Sequence, residues 1–294
     1  MTVEAHIVFA CFGSTCSVHV GADGGARAVA RARRRLVSWH DRFTRFSPES
    51  ELSRLNADTR PEVPTSPIMR RFATAVVDAA RLTGGLVDAT LLAQIESAGY
   101  TSDRGPSTLL RDALALAPPR HPAQPRPAAR WPSLGVDDRS GVVRRPPGLL
   151  LDSGGLAKGL FADVVAETLS GRTFAIDCAG DVRVGGHARR VDVQCPFDGR
   201  TLHHVMLADA GVATSGIGRR SWLDSRGEPA HHLIDPATGR AAFTGVVQAT
   251  AIAPTALEAE VRAKAALLSG PERAAEWLPD GGVIVLDDGN HLTI

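Results

Sequence analysis

The stretch Leu149-Leu150-Leu151-Asp152-Ser153-Gly154-Gly155-Leu156-Ala157-Lys158-Gly159 decides the reading of this chain. An apolar run reads there as a buried strand that enters paired glycines and opens directly into a helix. At such a junction free backbone N–H groups and the positive end of the helix dipole point at one place, and Lys158 adds a charge in the first turn. Two readings stay open: a cradle for a phosphate or nucleotide, or a tight strand-to-helix turn carrying an exposed lysine. Neither GxxxxGK[ST] nor GxGxxG is present, so the segment names no nucleotide by itself.

Working outward, the helix begun at Ala157 runs to about Leu169 and stops at Ser170-Gly171. Beyond it, TFAID, VRVGG, RVDVQC, HHVML, VATSG and HHLID read as strands with turn residues between them. Thr255-Ala-Leu-Glu258 is a capping box for a helix that reaches about Leu268, Gly270-Pro271 ends it, and GGVIVLDD is the last strand. On the N-terminal side, Ile7 to Phe12 reads as a strand, Gly13 to Thr15 as a break, and Cys16 to Val20 as a second alternating run. Val29, Ala32, Leu36, Trp39 and Phe43 fall at helical steps within Ala26 to Phe46, and Phe72, Val76 and Ala79 do so within Pro67 to Thr83. Residues 117–132 (APPRHPAQPRPAARWP) are rich in proline and arginine without an apolar period, and form a loop. No internal repeat is visible. Helices cluster early and strands late, which gives an α+β class with largely antiparallel strands. The expected organisation is one unit, residues 1–294, with two intimately packed subdomains.

The 294 residues carry 33 Lys and Arg against 32 Asp and Glu, a net charge of +1, so no global field favours nucleic acid or an anionic membrane. Hydrophobic content of 44% suits a folded globular chain, and no apolar run is long enough to span a bilayer. Cys11, Cys16, Cys178 and Cys195 form no CxxC pair and read as reduced, buried thiols. The start MTVEAHIVFACFGST has no basic n-region and too short an apolar stretch for a signal peptide. A cytoplasmic setting is expected.

Other candidate groups are local. His231-His232 closes an apolar run just before the Asp235-Pro236 turn, where one histidine could serve as general base or both could be satisfied turn residues. His203-His204 has less support, and neither pair has zinc-site spacing. Thr214-Ser215-Gly216 could offer hydroxyls and amides to a phosphate with Arg219 or Arg220 nearby, or be a polar turn. Asp177 and Asp181 flank a glycine turn. Glu260 and Lys264 stand four apart on the last helix, the spacing of an ordinary ion pair.

Taken in order, FGST, RFTRFSPESELSRLNA, GGLVDAT, LDSGGLAKG, AIDCAGDVRVGG, VATSG, HHLIDPATG and APTALEAEVRAKAALLSG resemble the FAD:protein FMN transferases, the ApbE family of flavin transferases. The resemblance implies a magnesium-dependent enzyme that takes FAD, releases AMP and leaves FMN esterified through its phosphate to a threonine or serine of a target flavoprotein, in a cleft between the two subdomains. By motif, Asp152 would contact FAD, Lys158 would sit beside it, and the Gly155 carbonyl would ligate Mg²⁺. Phe12 takes the position of a methionine before Gly13, and Phe46 that of an aromatic stacked on the isoalloxazine ring. His232 would deprotonate the incoming hydroxyl. Ser215 and the Ala98-Gly99-Tyr100 segment would line the cofactor.

Departures from the family pattern accompany this. Where the last helix of the family offers an aspartate and, four residues on, a threonine to the metal, this chain has Glu260 and Lys264. Glutamate remains a hard oxygen ligand suited to Mg²⁺, whereas an ammonium repels the ion. Either Lys264 swings out and water completes the shell, or its charge takes over part of the metal's role. Asp88-Ala89-Thr90 stands where the family has Asp-Pro-Thr, and the lipoprotein leader common in the family is not seen, which points to an intracellular target. The competing readings are an FAD pyrophosphatase giving FMN and AMP, and a non-catalytic FAD-binding protein.

Overall fold

The computed structural model describes residues 4–21, 24–102 and 108–294, so Met1–Val3 of the N-terminal stretch lie outside the described residues. Eight strands, each antiparallel to its neighbours, form one sheet whose spatial order follows the chain. They are β1 (Ala5–Cys11), β2 (Ser14–Val20), β3 (Phe174–Cys178), β4 (Asp181–Gly185), β5 (Gly211–Gly216), β6 (Val246–Ala253), β7 (Gly282–Leu286) and β8 (His291–Thr293). The other elements are inserted between consecutive members of this meander, the largest insertion lying between Val20 and Phe174.

Two of the strand connections are two-residue turns with left-handed backbone at both positions, Phe12 and Gly13 (φ 56° and 69°) and Ala179 and Gly180 (φ 60° and 99°). That pattern matches the right-handed twist of the strands it joins. It also sets the Phe12 ring against His40 and Phe161 of the helical layer (5.3 and 5.8 Å between centroids).

One sheet face is covered by helices. The helix α1 (Gly25–Phe43) lies on β1 and β2, while α2 (Pro67–Leu82) belongs to the inserted stretch. α3 (Ala157–Glu167) lies on β3 and β4, and α4 (Ala256–Ser269) on β5 and β6. One apolar core runs from Val18 to Val285 through Leu36, Phe72, Phe161 and Leu267, all fully buried or nearly so; each such large side chain contributes about 1.5–3 kcal/mol by leaving water. The hairpin of Arg189–Gln194 with Thr201–Leu207 covers the other face, setting Val191, Val205 and Leu207 against Val184 and Val212.

The two helices behind the site are fastened to each other. The α4 N-terminus is capped by the Thr255 hydroxyl, which accepts from the Glu258 N–H (3.1 Å), and by Asp163 of α3, whose carboxylate accepts from the N–H groups of Ala256 and Leu257 (3.0 and 2.9 Å). Glu258, expected to complete the capping box, instead pairs with Arg262 at 2.6 Å. The helices touch at Gly159, where an added Cβ would stand 2.6 Å from the Ala256 carbonyl oxygen.

Several expectations change. Leu149 and Leu151 are fully buried but lie in no strand, because the Leu151 backbone pairs with the Asn56 side chain and the Asp152 N–H donates to the Ala89 carbonyl. HHLID contributes only the end of a short strand at His231 and an isolated bridge from Ile234 to Ala241. The first helix ends at Phe43, and GGVIVLDD is followed by one more strand, β8. Residues 117–132 do form a loop ending in a single helical turn, and it is strapped down: His121 and Ala123 donate to the Phe243 and Leu268 carbonyls (3.1 and 2.8 Å).

Candidate active site

A cleft of about 1200 Å³, its mouth included, opens between the inserted helical stretch and the helices on the sheet. Its walls are built by the chain segments already singled out. The Asp152–Lys158 turn forms one wall, the β1–β2 turn brings Phe12, and the strand-like run after His231 brings His232.

One end of the cleft is aromatic. Tyr100 stacks on Trp222 (5.3 Å between centroids) and meets the Phe46 ring edge-on at 5.7 Å. Arg45 inserts between them, its guanidinium 4.4 Å from the Phe46 ring centre and 4.6 Å from that of Tyr100, a favourable cation–π position. The same guanidinium lies 3.5 Å from the Asp152 carboxylate and donates to the Tyr100 carbonyl. Burial pushes the Asp152 carboxyl up, and Arg45 opposes that shift.

The other end is a buried network of charge. Lys158 donates to Asp181 and, at 3.2 Å, to Glu260 Oε1. Lys264 donates to the same Oε1 at 3.1 Å, and Glu260 Oε2 accepts from the Gly159 N–H at 2.9 Å. Burial alone would raise the Glu260 carboxyl; Lys158, Lys264 and the Gly159 N–H overcome it and hold the group down to about 2. Asp181 goes the other way, pushed up to about 7 by burial and by the Glu260 charge against the pull of the lysines. Lys158 and Lys264 border the cleft, and Glu260 lies behind them.

The magnesium implied by the resemblance does not fit these residues. Mg²⁺ requires hard oxygen donors in near-octahedral order, yet both oxygens of Glu260 already accept from ammonium or N–H groups. The Lys264 stem passes Gly155, its Cε 3.4 Å from where a Cβ on Gly155 would stand, so the lysine occupies the space between the two expected ligands. An ammonium about 4 Å from a divalent ion repels it by roughly 8 kcal/mol at an effective dielectric near 20, about half of what one carboxylate oxygen at Mg²⁺ ligand distance would contribute.

His232 borders the cleft beside Arg220, and its Nδ1 is shut from solvent with no partner among the described residues. Burial, then the charges of Arg220, His231 and Lys264, drive its proton affinity well below that of an ordinary histidine. The imidazole is therefore neutral near pH 7 and able to accept a proton. Arg220 also reaches the Phe12 carbonyl (3.4 Å), tying the β1–β2 turn to this side of the cleft.

The sequence pattern of the ApbE family matches residues 12–286. This chain belongs to the ApbE family. Two relatives named FAD:protein FMN transferase align along most of its length. The protein from Vibrio cholerae is 26% identical, over 87% of this chain and 79% of its own. That from Klebsiella pneumoniae is 29% identical, over 90% and 78%. Among solved structures, the ApbE protein from Thermotoga maritima superposes with a TM-score of 0.81 at 21% identity, covering 99% of this chain and 97% of that one. The flavin transferase ApbE from Vibrio cholerae gives 0.76 at 21% identity, covering 100% and 97%. At that identity the structures show a shared fold of helices and antiparallel sheet.

Of the residues read from the sequence, this ApbE-family chain brings Phe12, Phe46, Tyr100, Asp152, Gly155, Lys158 and His232 to the cleft wall. Ala98 and Gly99 stand behind it, where the Ala98 carbonyl accepts from the Trp222 indole at 2.6 Å and supports the Tyr100 ring. Ser215 is buried within β5 opposite Ala249, away from the cleft. Glu260, expected as a metal ligand, is the shared acceptor of two lysines. Arg45 was not singled out from the sequence, since its partners Tyr100 and Asp152 lie far along the chain. Asp181 reads from the sequence as a turn residue, with no hint of its contact to Lys158.

Proposed function

We propose that this chain transfers FMN from FAD to a threonine or serine hydroxyl of a target flavoprotein and releases AMP. One observation carries the reading: a single cleft sets an aromatic, cation-braced end at Phe46, Tyr100 and Arg45 against an end lined by Lys158, Lys264, Arg220 and a neutral His232. A flavin suits the first end and a pyrophosphate the second. The names of the curated relatives support the same reading.

In this scheme Phe46, exposed at the cleft mouth, offers its ring to the isoalloxazine, and Phe12 closes the opposite wall. Asp152, steadied by Arg45, accepts a hydrogen bond from the cofactor. His232 removes the proton of the acceptor hydroxyl, whose oxygen attacks the phosphorus of the FMN half. The bond from that phosphorus to the bridging oxygen breaks, and AMP leaves with the electron pair. Charge grows on that leaving oxygen and on the phosphoryl oxygens, where preorganised cations stabilise the transition state more than the ground state. No step is assigned to magnesium, because the residues do not fit it. A cytoplasmic setting is the compartment part of the proposal, supported by four free, buried cysteines and tested by cell fractionation. Among the described residues no helix is long and apolar enough to cross a membrane.

The test is to incubate the purified protein with FAD and a flavoprotein domain bearing surface threonines, and to read AMP release together with acceptor mass. AMP with an FMN-sized mass gain is the expected result. AMP with free FMN and an unchanged acceptor would make the protein a pyrophosphatase. Tight FAD binding with no AMP would make it a flavin carrier.

A further inference from the structure

We infer that Lys264 supplies, as a resident ammonium, the positive charge that a divalent cation would otherwise bring to the pyrophosphate, so that this chain transfers FMN without a metal ion. The inference rests on the transferase reading and sharpens it to one residue.

Three observations converge on it. Lys264 lies between Gly155 and Glu260, the two residues that the resemblance offers to a metal, with its stem against the first and its ammonium 3.1 Å from the second. It is held there rather than swung out: the residue is only 7% exposed and its one carboxylate partner is fixed from behind by Lys158 and the Gly159 N–H. Lys264 nonetheless borders the cleft while Glu260 does not, which sets its positive charge at the edge of the space where FAD would lie.

The charge balance fits as well. Glu260 and Asp181 face Lys158 and Lys264, and this group of four needs no further cation to be neutral. A pyrophosphate entering the cleft adds negative charge that the lysines can meet directly. When the acceptor oxygen bonds to the FMN phosphorus and the bridging oxygen departs with AMP, the new charge on that oxygen is met by an ammonium already in position, and no metal need be bound or released. A fixed ammonium has no solvent shell to strip and no dependence on ion concentration.

The experiment compares the full chain, stripped with EDTA and then assayed with FAD and acceptor, in chelator and in excess magnesium. Lys264→Thr and Lys264→Met are assayed in parallel. Binding of Mn²⁺ to each protein, with and without FAD, is followed by electron paramagnetic resonance. The native protein is expected to release AMP at the same rate in both media and to bind no Mn²⁺. Lys264→Thr restores an oxygen ligand, and should lose about 100-fold in chelator, recover with magnesium and bind Mn²⁺ tightly. Lys264→Met, with neither charge nor oxygen, should lose as much and not recover. Native turnover that vanishes in chelator and returns with magnesium would overturn the inference without any variant, as would Mn²⁺ bound at the native site. AMP release absent from every arm, Lys264→Thr with magnesium included, would overturn the transferase reading itself and the inference with it; that pattern differs from metal-dependent native turnover.

Discussion

His232 is a cleft-wall imidazole that burial and three neighbouring cationic or ionisable groups keep deprotonated. A general base that is neutral well below pH 6.5 does not titrate out in mild acid. The acid limb of the rate of AMP release should therefore fall well below the usual histidine range, and a limb centred at 6.5 in a pH–rate profile would exclude His232 as the base. Replacing the imidazole, His232→Ala, should lower turnover by about 10²–10⁴-fold and leave FAD affinity within about threefold, since a base acts on the reaction and not on the ground state. Fluorescence titration of FAD reads the second quantity directly. A collapse of FAD affinity would reassign the residue as a cofactor contact.

At the level of elements, Gly159 is the hinge-pin of the charged end. It lets α3 approach the first turn of α4, and its N–H holds Glu260. Gly159→Ala places a methyl against backbone, which cannot give way as a side-chain tip would. A loss of about 1–3 kcal/mol is expected from urea denaturation, with weakened FAD binding as Glu260 and its lysines shift. Unchanged stability would mean the helices separate freely. How much of this architecture was legible depended on exposure. α1 showed itself because only one face is buried, leaving Val29, Ala32 and Leu36 at helical spacing. β6 left no such mark: Val246 to Ala251 are all buried, so the two-residue alternation of a half-exposed strand disappears. Leu149 to Leu151 misled for the opposite reason, a continuous apolar run that is buried as an extended loop paired with Asn56. The cleft residues of the glycine turn and His232 were legible in local motifs. Arg45 and the Lys158–Asp181 pair were not, because their meaning comes from contacts between distant segments.

For the whole molecule, the buried ionisable groups make stability depend on pH in opposing directions. His231 is fully buried, and burial lowers its proton affinity to about 3 from an ordinary 6.5. Below pH 6.5 the unfolded chain takes up a proton that the native chain does not, so this contribution is complete above 6.5 and is lost as pH falls toward 3. Asp181, raised to about 7, is protonated in the native state first and works against that loss. The histidine effect is therefore read as a difference: the stability gap between the native protein and His231→Gln should shrink by roughly 2 kcal/mol between pH 7 and pH 5, measured by urea midpoints at each pH. A constant gap would mean that His231 takes up its proton in the native state at the same pH as in the unfolded chain. The meander itself carries a further consequence, for synthesis. β2 must pair with β3, and about 150 residues intervene, a closure whose entropic cost is modest but whose timing is not. At ribosomal rates of about 5–20 residues per second, the first hairpin emerges with its inner edge unpaired for several seconds to half a minute before its partner exists. Exposed strand edges of that kind recruit other strands, so a nascent chain of this protein is most vulnerable to misassembly while its helical insertion is still being made.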